Sequence, residues 1–250
     1  MKLFRCQSCG QVLYFENTFC ERCSHRLGYL PDLATLSALQ PHDALWRTLA
    51  QPNRTVRFCE NDTHDACNWL VGDDIDSAFC LACRHNRTIP DLSIEDNAFR
   101  WRKLELAKHW LFYTLLRLGL KPKSRFEDPA GGLAFDFLAD SPSPTGPKVL
   151  TGHDNGLITI AIEEADDAER ERRRTLMHEP YRSLLGHFRH EVGHYFWDVL
   201  IRDGGKLVPF REVFGDDTPD YGAALAIHYD NGPPADWQET FVSAYASSHP

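Results

Sequence analysis

GHFRHEVGHYF, residues 186–196, decides how the rest of this 250-residue chain is read. Within it, His190-Glu191-Val192-Gly193-His194 places two histidines four apart, with a glutamate directly after the first. On an α-helix, residues four apart share a face, so both imidazoles aim at one point. The spacing predicts one helix over residues 181–201. Tyr181, Leu184, Leu185, Phe188, Val192, Tyr195, Phe196 and Val199 make its continuous apolar stripe. His187, His190, His194 and Trp197 lie on roughly the opposite side, so one face enters a core while the histidines line a cleft.

That pattern has a chemical reading. Two imidazoles, a third protein ligand and an open position for water make the donor set of a hydrolytic zinc site. Glu191 stands beside the first ligand and is placed to take a proton from that water as general base. A five-residue motif also arises by chance, and core or surface histidines are common. The mid-helix position, the apolar flanks and an upstream strand favour the metal.

Upstream, GLAFDFL (132–138) and GLITIAI (156–162) are strand candidates, separated by the turn-rich SPSPTGP (141–147). GLITIAI is expected as a sheet edge to which a peptide adds as an extra strand. His153 and Asn155 just before it read first as an Asn-Gly turn and second as contacts to substrate or to a metal ligand. EEADDAERERRRTLM reads as a solvated helix with an i,i+4 pair of Glu169 and Arg173. Pro180 is suited to start the next helix and DGG (203–205) to end it. Downstream, Tyr221, His228 and Tyr229 are candidates for a group near the oxyanion. From about residue 97, Trp101, Leu104, Ala107, Leu111, Leu115 and Leu118 predict another helix, stopped by Gly119 and Pro122.

All eight cysteines fall in the first 83 residues. Cys6-x2-Cys9 and Cys20-x2-Cys23 are two tight turns, each offering two thiolates to one ion, and together they complete the tetrahedral set of a zinc ribbon. Cys59, Cys67, Cys80 and Cys83 read as a second four-cysteine site, with His64 or His85 able to replace one ligand. Both are expected to be structural, because a lobe with a thin core draws folding energy from its metal. Phe4, Tyr14 and Phe15 beside the first cluster read as packing residues before contact residues. Such a lobe can hold nucleic acid, hold a protein partner or cap the next domain, and the acidic run DDID (73–76) inside the second cluster disfavours DNA.

Composition sets the frame. Hydrophobic residues are 42% of the chain and aromatic residues 12%, enough to bury a core. No stretch reaches the roughly 18–20 apolar residues of a membrane span, and MKLFRCQSCG is not a signal peptide. The expectation is a cytoplasmic protein. A net charge of −9 argues against a strong grip on nucleic acid.

FCENDTHDACNWLV, FCLACRHNRTIPDL, GGLAFDFLAD, VLTGHDNGLITIAIEEADDAERERRR and EPYRSLLGHFRHEVGHYFWDVLI together resemble a bacterial family of zinc-binding metallopeptidases with an N-terminal zinc-ribbon region. The resemblance implies His190 and His194 as metal ligands, Glu191 as catalytic base, and the second cysteine cluster as a family feature. Family members run past the position of Pro250 into a helix rich in Trp, Glu and Ala, similar to the third-ligand helix of gluzincins. The third ligand is therefore expected first from such a segment, then from Glu212, 18 residues after His194, then from Glu239, with Asp198 supporting a ligand. The chain ending at Pro250 is expected to be a shortened form.

The fold expectation is α+β: a small zinc-stapled β-rich N-terminal lobe, residues 1–95, and a zincin-like metallopeptidase domain, residues 96–250, carrying the HExxH helix. Three zinc ions are expected, two structural and one catalytic. The leading function is zinc-dependent hydrolysis of a peptide or protein substrate. The alternatives are a zinc-ribbon interaction module on an inactive peptidase-like domain, and a protease acting on DNA-bound proteins.

Overall fold

A computed structural model describes residues 2–141, 143, 145–176, 183–241 and 243–248. It mixes helix and sheet, with a β-rich region at the N-terminus. The chain divides into two compact units, Met1–Asp166 with Leu184–Glu191, and Asp167–Ser183 with Val192–Pro250.

In the first unit, β1 (Phe4–Arg5) and β2 (Val12–Leu13) form a short hairpin. Five strands follow as an antiparallel meander in chain order: β3 (Leu27–Leu30), β4 (Thr35–His42), β5 (Leu45–Thr48), β6 (Thr55–Phe58) and β7 (Leu70–Gly72). Their inward residues Leu30, Leu39, Val56 and Leu70 pack with Trp46 and Phe58. Antiparallel strands need only short connections, which is why so short a stretch of chain can build a sheet.

Beyond the meander comes β8 (Asn86–Thr88), then α1 (Glu95–Arg117). The predicted stripe Trp101, Leu104, Ala107, Leu111 and Leu115 is buried, whereas Leu118 lies past the last turn and is exposed. Gly119, at φ +73°, ends the helix. An aromatic cluster joins the hairpin, the meander and α1. Phe15 lies 4.9 Å from Tyr29 and 4.5 Å from Trp110, and Tyr29 lies 4.7 Å from Trp69 between ring centroids. Phe4 and Phe15 are buried, as packing residues should be, and Tyr14 is exposed.

The second sheet has the order β10-β11-β9-β8, where β9 is Ala134–Leu138, β10 is Gly152–Asp154 and β11 is Leu157–Ala161. β9 runs parallel to both β8 and β11, while β10 is antiparallel to β11. This corrects the expectation that GLITIAI is an edge. β11 is flanked on both sides, and the edges are β10 and β8. The cause is local. Asn155 and Gly156, at φ +45° and +80°, form a two-residue turn that folds β10 back onto β11. Gly156 is required there twice over, since an added Cβ would also stand 2.6 Å from the Gly131 carbonyl oxygen. His153 serves the same turn, its Nε2 accepting the Gly156 N–H at 2.9 Å.

The second unit is helical: α2 (Asp167–Leu176), the later part of α3 (Leu184–Trp197), α4 (Leu207–Phe214), α5 (Tyr221–Asn231) and α6 (Trp237–Thr240). α2 is a solvated helix tied by i,i+3 pairs, Arg172 with Glu169 and Arg174 with Glu171. The expected Glu169–Arg173 pair rests on a side chain outside the described residues, as do Pro180 and Tyr181. Asp220 caps α5, its carboxylate accepting the Ala223 N–H at 2.8 Å. No helix among the described residues is long and apolar enough to cross a membrane.

Candidate functional site

The first cysteine cluster is built as its spacing predicts. Cys6, Cys9, Cys20 and Cys23 gather, with Sγ atoms 3.6 Å apart for Cys6 and Cys23 and 3.5 Å apart for Cys9 and Cys20. Two thiolates on one tetrahedral zinc, at about 2.3 Å from the metal, stand about 3.8 Å apart. Burial pushes the Cys6 thiol up to about 12, whereas a hydrogen bond from the His25 backbone helps bring Cys23 down to about 6.

Cys59, Cys67, Cys80 and Cys83 gather in the same way, all buried, with Cys67 and Cys80 Sγ atoms 3.7 Å apart. Backbone N–H groups of Trp69, Cys80 and Cys83 donate to the sulfurs of Cys67, Cys59 and Cys80 at 3.3, 3.3 and 3.4 Å. Hydrogen bonding from the neighbouring cysteines holds Cys59 far below the ordinary thiol range, while burial drives Cys67 and Cys83 well above it. Four buried sulfurs this close cannot all ionise without a cation among them, so the donor set fits a soft divalent ion.

Neither histidine weighed as a substitute ligand joins this cluster. His85 is buried with its Nδ1–H donating to the Leu133 carbonyl at 2.9 Å, and the His64 ring packs edge-on to Trp101. A different histidine does adjoin it. His109 on α1 places Nε2 3.3 Å from Cys67 Sγ and 3.6 Å from Cys83 Sγ, with Glu105 one turn earlier 3.5 Å from Cys83. The sequence carried a signal for these, Glu105 and His109 at i,i+4. Polar residues inside an apolar helix pattern are ordinarily assigned to the solvent face, which hid it.

HEVGH lies on α3, a regular α-helix, so His190 and His194 are one turn apart on one face. Phe188, Val192 and Tyr195 are buried, and His190 and His194 reach the surface. In the first unit, Phe188 packs at 5.7 Å from Phe135 and 6.3 Å from Phe137 of β9, which seats the start of the helix on the second sheet. His187 belongs to a different contact, with Nδ1 3.4 Å from the buried Glu164 carboxylate. Partial burial keeps His194 below the ordinary histidine value, with Asp198 one turn on pulling it back up. Asp198 itself accepts from Arg202 at 2.6 Å. Glu212 is exposed on α4 and Glu239 is exposed on α6. Among the described residues, neither joins a three-donor group. Tyr221 and Tyr229 are exposed on α5, and His228 Nδ1 lies 3.2 Å from Ser247 Oγ.

Residues 97–250 match the profile of the family described as "Putative zinc-binding metallo-peptidase". The chain belongs to this family. Residues 3–94 match a zinc-ribbon domain. Zinc binding by this metallopeptidase family member is supported by both matches and by the two gathered cysteine sets. An uncharacterized protein of Mycobacterium bovis and two of Mycobacterium tuberculosis are each 40% identical over 250 residues, all of this chain and 69% of the relative. No solved structure matches.

Proposed function

We propose that this chain is a zinc-dependent peptidase whose site is centred on His190, Glu191 and His194. The observation that carries the reading is a regular helix bearing HEVGH within the region that matches the metallopeptidase family. The donors fit the metal: two imidazoles at i,i+4, with His194 held toward its neutral, ligating form by partial burial. Bound zinc supplies Lewis acidity and lowers the pKa of water at its open position. Glu191, directly after the first ligand, would serve as the general base and carry a proton to the leaving amine. Asp198 supports His194 from one turn away. β10, now the exposed edge beside β11, is where an extended peptide would add as a strand. The two cysteine sets hold structural zinc and keep the ribbon region folded.

Metal binding at the helix is tested by zinc content after reloading the stripped protein. The chain carrying His190→Ala and His194→Ala is expected to hold one ion fewer than the parent. Equal content in both removes the site.

One observation favours a second reading: among the described residues, no third donor gathers with these histidines. In that reading the chain is a zinc-ribbon interaction module, and its peptidase-like part does not hydrolyse. Glu212→Gln and Glu239→Gln separate the two. A marked loss of zinc affinity in either one identifies the third ligand and supports the peptidase.

A further inference from the structure

The second cysteine set is surrounded by more donors than one zinc ion can use. Cys83, Glu105 and His109 form a group of their own, with all three ligand atoms within 4.8 Å of one another and all three residues buried. The distances between them are those of ligands sharing an ion. With bonds of about 2.3 Å to sulfur and 2.0–2.2 Å to nitrogen or oxygen, a tetrahedral ion spaces its sulfur from its nitrogen or oxygen ligands by roughly 3.5–3.7 Å. Here Cys83 Sγ stands 3.6 Å from His109 Nε2 and 3.5 Å from Glu105 Oε2.

The hydrogen bonding of His109 fixes which atom faces the sulfurs. Its Nδ1 is 2.6 Å from the Glu105 carbonyl oxygen, which only accepts, so Nδ1 carries the proton. In the neutral ring, Nε2 then directs its lone pair at Cys67 and Cys83. A metal-bound histidine commonly donates its other N–H to a backbone carbonyl in this way. The Glu105 carboxylate is likewise divided. Oε1 accepts from Lys108 and from Asn86, each at 2.8 Å, and Oε2 is left facing Cys83. The sulfurs of Cys59, Cys67 and Cys80 each accept a backbone N–H, whereas Cys83 faces the carboxylate and the imidazole.

Charge points the same way. Four thiolates and one carboxylate, set against the Lys108 ammonium and one divalent ion, leave a net charge of −2 among buried groups. Uncompensated buried charge is costly, and a second divalent ion brings the sum to zero. A path for it exists. A cavity of about 440 Å³ reaches Cys67 and His109, its lining balanced between Glu16, Asp62 and Asp65 and the cations Arg26, Arg102 and Lys103.

We propose that this centre binds two divalent metal ions: one in the four-cysteine set, and a second held by Cys83, Glu105 and His109, with the Cys83 thiolate bridging them. The second ion has three protein ligands and so keeps a position for water or another small ligand.

Zinc is counted per chain after stripping and reloading the 250-residue chain with His190→Ala and His194→Ala, which keeps the HEVGH histidines out of the count. Three ions are expected, falling to two when His109→Ala is added. A count that His109→Ala leaves unchanged overturns the proposal, whatever the HEVGH helix itself binds. A second measurement does not depend on the fold of a variant. In the unaltered chain loaded with cadmium-113, a bridging thiolate gives two scalar-coupled cadmium resonances. A single uncoupled resonance from this centre, with His109 protonated on both ring nitrogens, would mean that a proton occupies the place assigned to the ion.

Discussion

Lys108 and Glu105 have no exposed surface, yet one is a cation and the other an anion. Their pairing at 2.8 Å, with Asn86 bonded to both, lets α1 bury two charges. Removing one partner of such a pair costs about 3–5 kcal/mol, because the other stays buried and uncompensated. Lys108→Met is therefore expected to lower the thermal midpoint by many degrees, and adding Glu105→Gln should restore part of the loss. A single variant as stable as the parent would show that a cation bound beside Cys83 and His109, rather than Lys108, compensates Glu105. At this scale the cysteines were legible and His109 was not. A CxxC turn is a local property of the backbone, readable from spacing alone. The place of His109 depends on α1 packing against a loop 42 residues upstream in sequence, which no local pattern encodes.

At the scale of the element, α3 and α1 were readable because apolar residues at helical spacing must find a core. Phe188, Val192 and Tyr195 do so, as do Trp101, Leu104 and Leu111. The position of β11 was not readable. A run such as LITIA fits an interior strand as well as an edge, and only the fold-back of β10 decides between them. That fold-back rests on Gly156. Its positive φ disfavours any side chain, and a Cβ there would meet backbone carbonyls of Gly131 and Gly132 at 2.6 and 2.8 Å, atoms that cannot swing aside. Gly156→Ala is expected to destabilise the first unit by about 1–3 kcal/mol, measurable as a lower denaturant midpoint at unchanged slope. An unchanged midpoint would mean that the turn does not hold β10 in place.

At the scale of the whole molecule, metal is expected to hold the N-terminal region together. Its strands are short, and both cysteine sets tie together distant parts of it, Cys6 to Cys23 and Cys59 to Cys83. Binding energy at such sites is folding energy. A strong chelator should abolish the near-ultraviolet signal of the Phe15, Tyr29 and Trp69 cluster, and zinc should restore it. A signal that survives complete metal removal would assign the stability of this region to its apolar core alone. The family was legible because blocks along nearly the whole chain carry it. The third ligand expected at the HEVGH helix was not, since a donor from elsewhere in the chain would be selected by the tertiary path and leaves no fixed spacing in the sequence.

The proposed chemistry turns on Glu191. Cleavage of a mixed library of fluorogenic peptides by the zinc-loaded chain should be compared with cleavage by Glu191→Gln at equal zinc content. Hydrolysis by the parent is expected, with a loss of about 10²–10⁴-fold in the variant, the usual contribution of a general base. Hydrolysis at equal rates in both would contradict that chemistry.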